Sequence, residues 1–356
     1  GNEGSRIVTP ATTTPPPGPA HRSPVRPALY WLRVGLINLA FIAAVLIVAE
    51  LLFGAWLSGN FARVLFPVDG VTVLHDVRPL YEGGSANAAY RRDRFGLRGR
   101  YDRPSNIDIL TIGGSTTDQF YLDEGETWQD RLAQAFAAAG RAVSVVNAGA
   151  DGQTTVGHLH AMDEWFPLIP NLRPRFILAY IGLNDSELDA VDRSAFDRGD
   201  RIGSAGLVPY IKRRSALYLL CTTIWGVKIA REARLGHGQA RIVGHDASGQ
   251  SLWREVDPVN IPPVADERMA ERLAGYAERV TELVRRIRGF GAEAILITQS
   301  RADYRVRDGR LFGRPGPNGT VDTGSYAKMA AFNRTTLETC RDLGAICVDL
   351  GAELWF

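Results

Sequence analysis

The sequence predicts a three-layer α/β fold, a central parallel sheet between helices, carried behind one N-terminal membrane-spanning helix. Three observations predict it: short apolar runs without polar alternation, longer helical stretches between them, and an extended apolar segment near the start. Uninterrupted apolar runs suit strands buried on both faces, and their alternation with helices is the pattern of a parallel sheet.

Strands are expected at Ile107–Ile112, Val143–Asn147, Phe176–Ile181, Ala294–Thr298 and Ala345–Leu350. Helices are expected at Thr127–Ala139, Asp266–Phe290 and Ser325–Leu343. In the second helix Leu273, Tyr276, Val280, Leu283, Val284 and Ile287 recur at three- and four-residue steps, which is one buried stripe. Residues 186–262 break the rhythm with Gly-, Asp- and Arg-rich sequence around an apolar patch, Ala216–Ile229, and are expected as an insertion over the top of the sheet. The division that follows is a Pro-rich disordered tail over 1–28, an anchor over 29–58, a linker and lead-in segment over 59–105, and the α/β domain over 106–356.

Between Val34 and Leu57 only Asn38 and Glu50 are strongly polar. As a helix that stretch reaches about 36 Å, enough to cross a ~30 Å hydrocarbon core with some tilt. A buried core helix is the plainer alternative. A cleaved signal peptide fits less well, because the run exceeds an ordinary h-region and no A-x-A site follows it. Arg22, Arg26 and Arg33 precede the run and Arg63 follows it. That bias places the N-terminus in the cytoplasm and the larger domain outside it, as a single-pass membrane protein. Glu50 is expected to snorkel toward the outer interface.

Charge and cysteine usage exclude other classes. The net charge is +2 over 356 residues, with no basic stripe interleaved with aromatics, so a nucleic-acid partner is set aside. Cys221, Cys340 and Cys347 form no C-x-x-C spacing and the six histidines form no H-E-x-x-H, so no metal and no cofactor is expected. Cys340 and Cys347 either pair, outside the cytoplasm, or remain two buried thiols. Cys221 is expected to pack within the apolar part of the insertion.

In an open α/β sheet, function sits at the carboxyl ends of the strands. Three polar, glycine-bearing segments fall there: Gly113-Gly114-Ser115-Thr116-Thr117-Asp118, Asn147-Ala148-Gly149-Ala150-Asp151-Gly152-Gln153-Thr154, and Gly182-Leu183-Asn184-Asp185. Ester hydrolysis needs a hydroxyl that a base can deprotonate and preorganised donors for the tetrahedral oxyanion. Ser115 after two glycines, a backbone N–H at Gly152 and the side-chain amide of Asn184 supply that set. Singly each has a plainer reading: a Gly-Gly-Ser turn is usually a turn, and Asn-Asp after a strand is usually a helix cap. The G-x-S-x-G elbow is not met, since position 117 is Thr. The order of all three segments after successive strands is what points to acyl transfer.

Those segments resemble the first three blocks of the SGNH, or GDSL-like, hydrolase family, over residues 90–185, with strand–helix order alone continuing the resemblance over 265–350. The resemblance implies a flavodoxin-like SGNH hydrolase fold, with Ser115 as nucleophile and Gly152 and Asn184 as oxyanion donors. The family's fourth block, Asp-x-x-His, is missing, because no Asp stands three residues before any His. It is expected beyond Phe356, with His158 and His160 as internal candidates for a replacement base. The expected activity is that of an esterase or deacylase acting on O-acyl groups of a small molecule or a cell-envelope polysaccharide. The alternatives are an O-acyltransferase using the same serine, and a catalytically inactive glycan-binding module.

Overall fold

The computed structural model describes residues 25–54, 56, 70–75, 77, 87–187, 211, 214–218, 220, 221, 224, 225, 253–264, 266–316 and 319–353. They fall into two units, residues 1–52 and 53–356. In the first, one helix, α1, runs over Val25–Phe53. It starts ahead of the expected span, and Pro27 is accommodated because it falls in the first turn, where a missing N–H costs no hydrogen bond. It ends at Phe53 rather than Leu57, and Gly54 follows. Leu29–Phe53 is long and apolar enough to cross a membrane, with a mean hydropathy of 2.6.

In the second unit, the five apolar runs become the strands of one parallel sheet. These are β3 (Ile109–Gly113), β4 (Val145–Asn147), β5 (Phe176–Tyr180), β7 (Glu293–Ile297) and β10 (Ile346–Val348). Their spatial order is β10-β7-β5-β3-β4. Counted along the chain that is the flavodoxin-like order 2-1-3-4-5, with a switch point between β3 and β5. An antiparallel pair, β1 (Gly70–His75) with β2 (Asn87–Arg92), precedes it. A small antiparallel sheet joins β6 (Arg254–Glu255), β9 (Arg310–Gly313) and β8 (Tyr304–Arg307).

Strand alternation decides which helix covers which face. Leu110, Ile112, Val146, Ile177, Ala179, Ala294 and Leu296 share a core with the helices Thr155–Glu164 (α4), Glu267–Gly289 (α6) and Thr323–Asp342 (α7). Ile109, Val145 and Leu178 point the other way, onto Trp128, Leu132 and Phe136 of α3 (Trp128–Ala138). Helix boundaries follow local chemistry. Thr127 and Asp130 close a capping box on α3, Asp266 caps α6, and Asp322 caps α7. The expected stripe on α6 holds, with Tyr276, Val280, Leu283, Val284 and Ile287 buried.

Cys340 and Cys347 form a disulfide that ties α7 to β10. Cys221 is exposed, against the expectation that it packs. Most of the insertion over 186–262 lies outside the described residues. The stretch 87–105, read from sequence as lead-in, carries β2 and pairs Arg98 with Asn147 beside β4.

Candidate active site

Ser115 and Asn184 follow the two strands that flank the switch point. Ser115 opens the short helix α2 (Ser115–Asp118), and Asn184 lies in α5 (Leu183–Glu187). The glycines before Ser115 are there for space. A Cβ on Gly113 would stand 2.7 Å from Tyr180 O, and one on Gly114 would stand 2.1 Å from Asn184 Nδ2. The Asn184 amide therefore lies directly against the turn that carries Ser115. Its Nδ2 also donates to Gln153 O at 2.8 Å, which brings in the second segment. An amide nitrogen has two hydrogens, so this bond leaves one to offer. Gly152, beside Gln153, is exposed with φ +70, and a Cβ there would meet nothing within 4 Å. Ser115 is half-buried. Its own backbone N–H opens a helix and so has no acceptor within it, a donor that the sequence reading did not name.

One buried ion pair and two partly buried ones hold these segments. Asp118 ends α2 and accepts from Arg92 Nη2 at 2.7 Å and from Tyr90 Oη at 2.8 Å. Arg92 reaches Gly149 O as well, coupling the serine turn to the second segment. Burial, opposed by Arg92, pushes the Tyr90 phenol up to about 12, so it stays a donor. Arg98 donates to the carbonyls of Asp118, Gln119 and Leu122 at 3.0, 2.7 and 2.6 Å, and to Glu124 at 2.8 Å. On the other flank Asp185 accepts from Thr155 Oγ1 at 2.6 Å and Thr155 N at 3.1 Å, with Arg279 Nη2 at 3.4 Å. Burial raises the Asp185 carboxyl, and Thr155 and Arg279 pull it back. The plain reading of Asn184-Asp185 as a cap survives in another form, because Asp185 serves the start of α4 rather than of its own helix. Arg92, Arg98 and Arg279 lie outside the three segments, and no spacing in the sequence connects them to Ser115.

Neither internal histidine is bonded to Ser115 among the described residues. His158 is buried in α4, Nδ1 has no partner, and burial pushes the imidazole down to about 3. His160, on the same helix, lies 3.9 Å from Glu164.

With this geometry in hand, the GDSL-like Lipase/Acylhydrolase family model matches residues 111–356. The chain belongs to that family. It is a serine acylhydrolase built on the SGNH hydrolase fold. Solved structures similar to this acylhydrolase include AlinE4, an SGNH-hydrolase family esterase (12% identity, 70% of this chain and 77% of that one, TM-score 0.34). They also include Axe2, an acetylxylan esterase from Geobacillus stearothermophilus (15%, 70% and 78%, TM-score 0.35). A third is the psychrotrophic esterase EstA from Pseudoalteromonas sp. (15%, 68% and 76%, TM-score 0.33). No curated protein matches the acylhydrolase.

Proposed function

We propose that the protein is a membrane-anchored esterase that removes O-acyl groups from a cell-envelope carbohydrate on the extracytoplasmic side. Ser115 Oγ attacks the acyl carbonyl. The developing oxyanion is met by the Asn184 amide and the N–H groups of Gly152 and Ser115. Collapse of the tetrahedral intermediate expels the sugar alkoxide, which takes a proton from the base, and water then releases the acid from Ser115. The observation that carries this reading is the closeness of Asn184 Nδ2 to both Gly114 and Gln153 O, which gathers the three segments at the switch point.

A base must take the serine proton. An imidazole held near 3 is too weak an acceptor at neutral pH, which sets His158 aside. The family resemblance implies an Asp-x-x-His block for this role, and residues 1–356 hold no Asp three positions before a His. Three observations support the location: the apolar length of α1, the arginines before it, and the Cys340–Cys347 disulfide, a bond that persists in oxidising compartments.

The test uses the full-length protein with an aryl acetate and with an acetylated oligosaccharide. Ser115→Ala is expected to lower kcat by about 10⁴-fold or more, and Asn184→Ala by about 10²–10³-fold. Unchanged turnover in Ser115→Ala would end the reading. Acyl groups appearing on an added sugar acceptor, in place of free acetate, would assign the same serine to transfer.

A further inference from the structure

Gln299 stands two residues past the carboxyl end of β7, with 3% of its surface exposed. Its side-chain oxygen accepts the Leu183 N–H at 2.7 Å, and its Nε2 donates to Thr116 Oγ1 at 2.9 Å. The direction is forced. A backbone N–H only donates, so the oxygen must face Leu183 and the nitrogen is left for Thr116. Leu183 is the neighbour of Asn184 and Thr116 the neighbour of Ser115. One buried amide therefore spans the segment bearing the oxyanion donor and the segment bearing the serine.

Gln299 is itself clamped. Its backbone N–H donates to Asn333 Oδ1 at 3.2 Å, and its carbonyl accepts from Asn333 Nδ2 at 2.8 Å. Gly351 closes over the pair so tightly that a Cβ would stand 2.6 Å from Asn333 Nδ2 and 2.7 Å from Gln299 O. This clamp leaves the side chain little freedom to follow either segment. One glutamine side chain, held just beyond β7 and against α7, therefore bridges the two segments that carry Ser115 and Asn184 in addition to the pairing of β3 with β5.

We propose that Gln299 is a positioning residue for acyl transfer, acting through Asn184 by fixing its distance from Ser115. The inference rests on the proposed roles of those two residues. Misplacing a donor by about 1 Å can cost on the order of 10²-fold while leaving ground-state binding alone.

The experiment is a double-mutant cycle on the full-length protein, with kcat and KM for an aryl acetate measured separately. Gln299→Leu is expected to lower kcat by about 10- to 100-fold with KM within about threefold. In an Asn184→Ala background the same change is expected to cost less than about threefold, because the donor being positioned is gone. Gln299→Glu, which still accepts from Leu183 and to which the Thr116 hydroxyl can turn and donate, is expected to recover most of the loss. Thr116→Val removes one arm only and tests the idea should Gln299→Leu fail to fold. Equal losses in both backgrounds, a loss confined to KM, or no loss in Gln299→Leu or Thr116→Val would overturn the proposal. Those results leave the serine reading standing if Ser115→Ala is inactive. An active Ser115→Ala would overturn both.

Discussion

His158 shows what a single residue contributes when the fold surrounds it. As the fourth residue of a surface-seeming helix it reads as an exposed histidine, yet α4 turns it inward and leaves it 1% exposed. With Nδ1 unpartnered, the charged form has nothing to offset its desolvation, so the imidazole is held near 3 against an ordinary 6.5. The sign follows from proton counts. Between those two values the unfolded chain binds a proton that the folded chain does not, so stability is full above pH 6.5 and is lost as pH falls toward 3. From pH 7 to pH 5 the loss from this one group is about 2 kcal/mol. Urea titrations of the wild type and His158→Leu at both pH values check it. Parallel pH dependence in the two proteins would show that His158 is not the source.

At the scale of elements, the short helix α2 is the least self-sufficient part of the site. Four residues form too few internal hydrogen bonds to hold a helix, and neighbouring elements supply the rest. Arg92 from β2 pairs with Asp118 with neither side chain more than 5% exposed, and Arg98 gathers the last carbonyl of α2 and two of the following loop. Removing one partner of a buried pair strands the other charge. Arg92→Met is therefore expected to destabilise the domain by about 3–5 kcal/mol, and Arg92→Met with Asp118→Leu by distinctly less. Equilibrium unfolding of the two variants measures this, and a single-variant cost under about 1 kcal/mol would contradict it. The longer elements behave oppositely. α3, α6 and α7 begin at Thr127, Asp266 and Asp322, each with its own capping side chain, and their limits were readable to within two residues.

At the scale of the whole molecule, α1 is the one described helix long and apolar enough to cross a membrane. The large apolar side chains of α1, among them Trp31, Phe41, Leu52 and Phe53, are exposed, as a membrane-spanning helix would leave them. With Arg26 and Arg33 at its start, the expected orientation leaves residues after 60 on the extracytoplasmic side. Reporter fusions beyond residue 60 should be active only in the periplasmic or external sense, and a chain lacking 1–58 should leave the membrane fraction. A cytoplasmic signal from those fusions would remove the support for an envelope substrate.

The sequence by itself left the antiparallel strands β1, β2, β6, β8 and β9 unread. It determined the five strands of the parallel sheet, the long helices, the apolar span and the three segments that hold Ser115, Gly152 and Asn184. All of these are written in short-range patterns: period, cap and motif within a few residues of one another. Only the tertiary structure decided how they are held. Gln299 meets Thr116 across 183 positions and Leu183 across 116, and Arg92 meets Gly149 across 57. Whether Cys340 and Cys347 pair was likewise open until the layers packed, and Cys221, expected to pack, is exposed while His158 is buried. The reason is physical: a polar side chain carries no mark of its partner, and hydrogen bonds between distant segments are chosen when parallel strands bring their carboxyl ends to one edge.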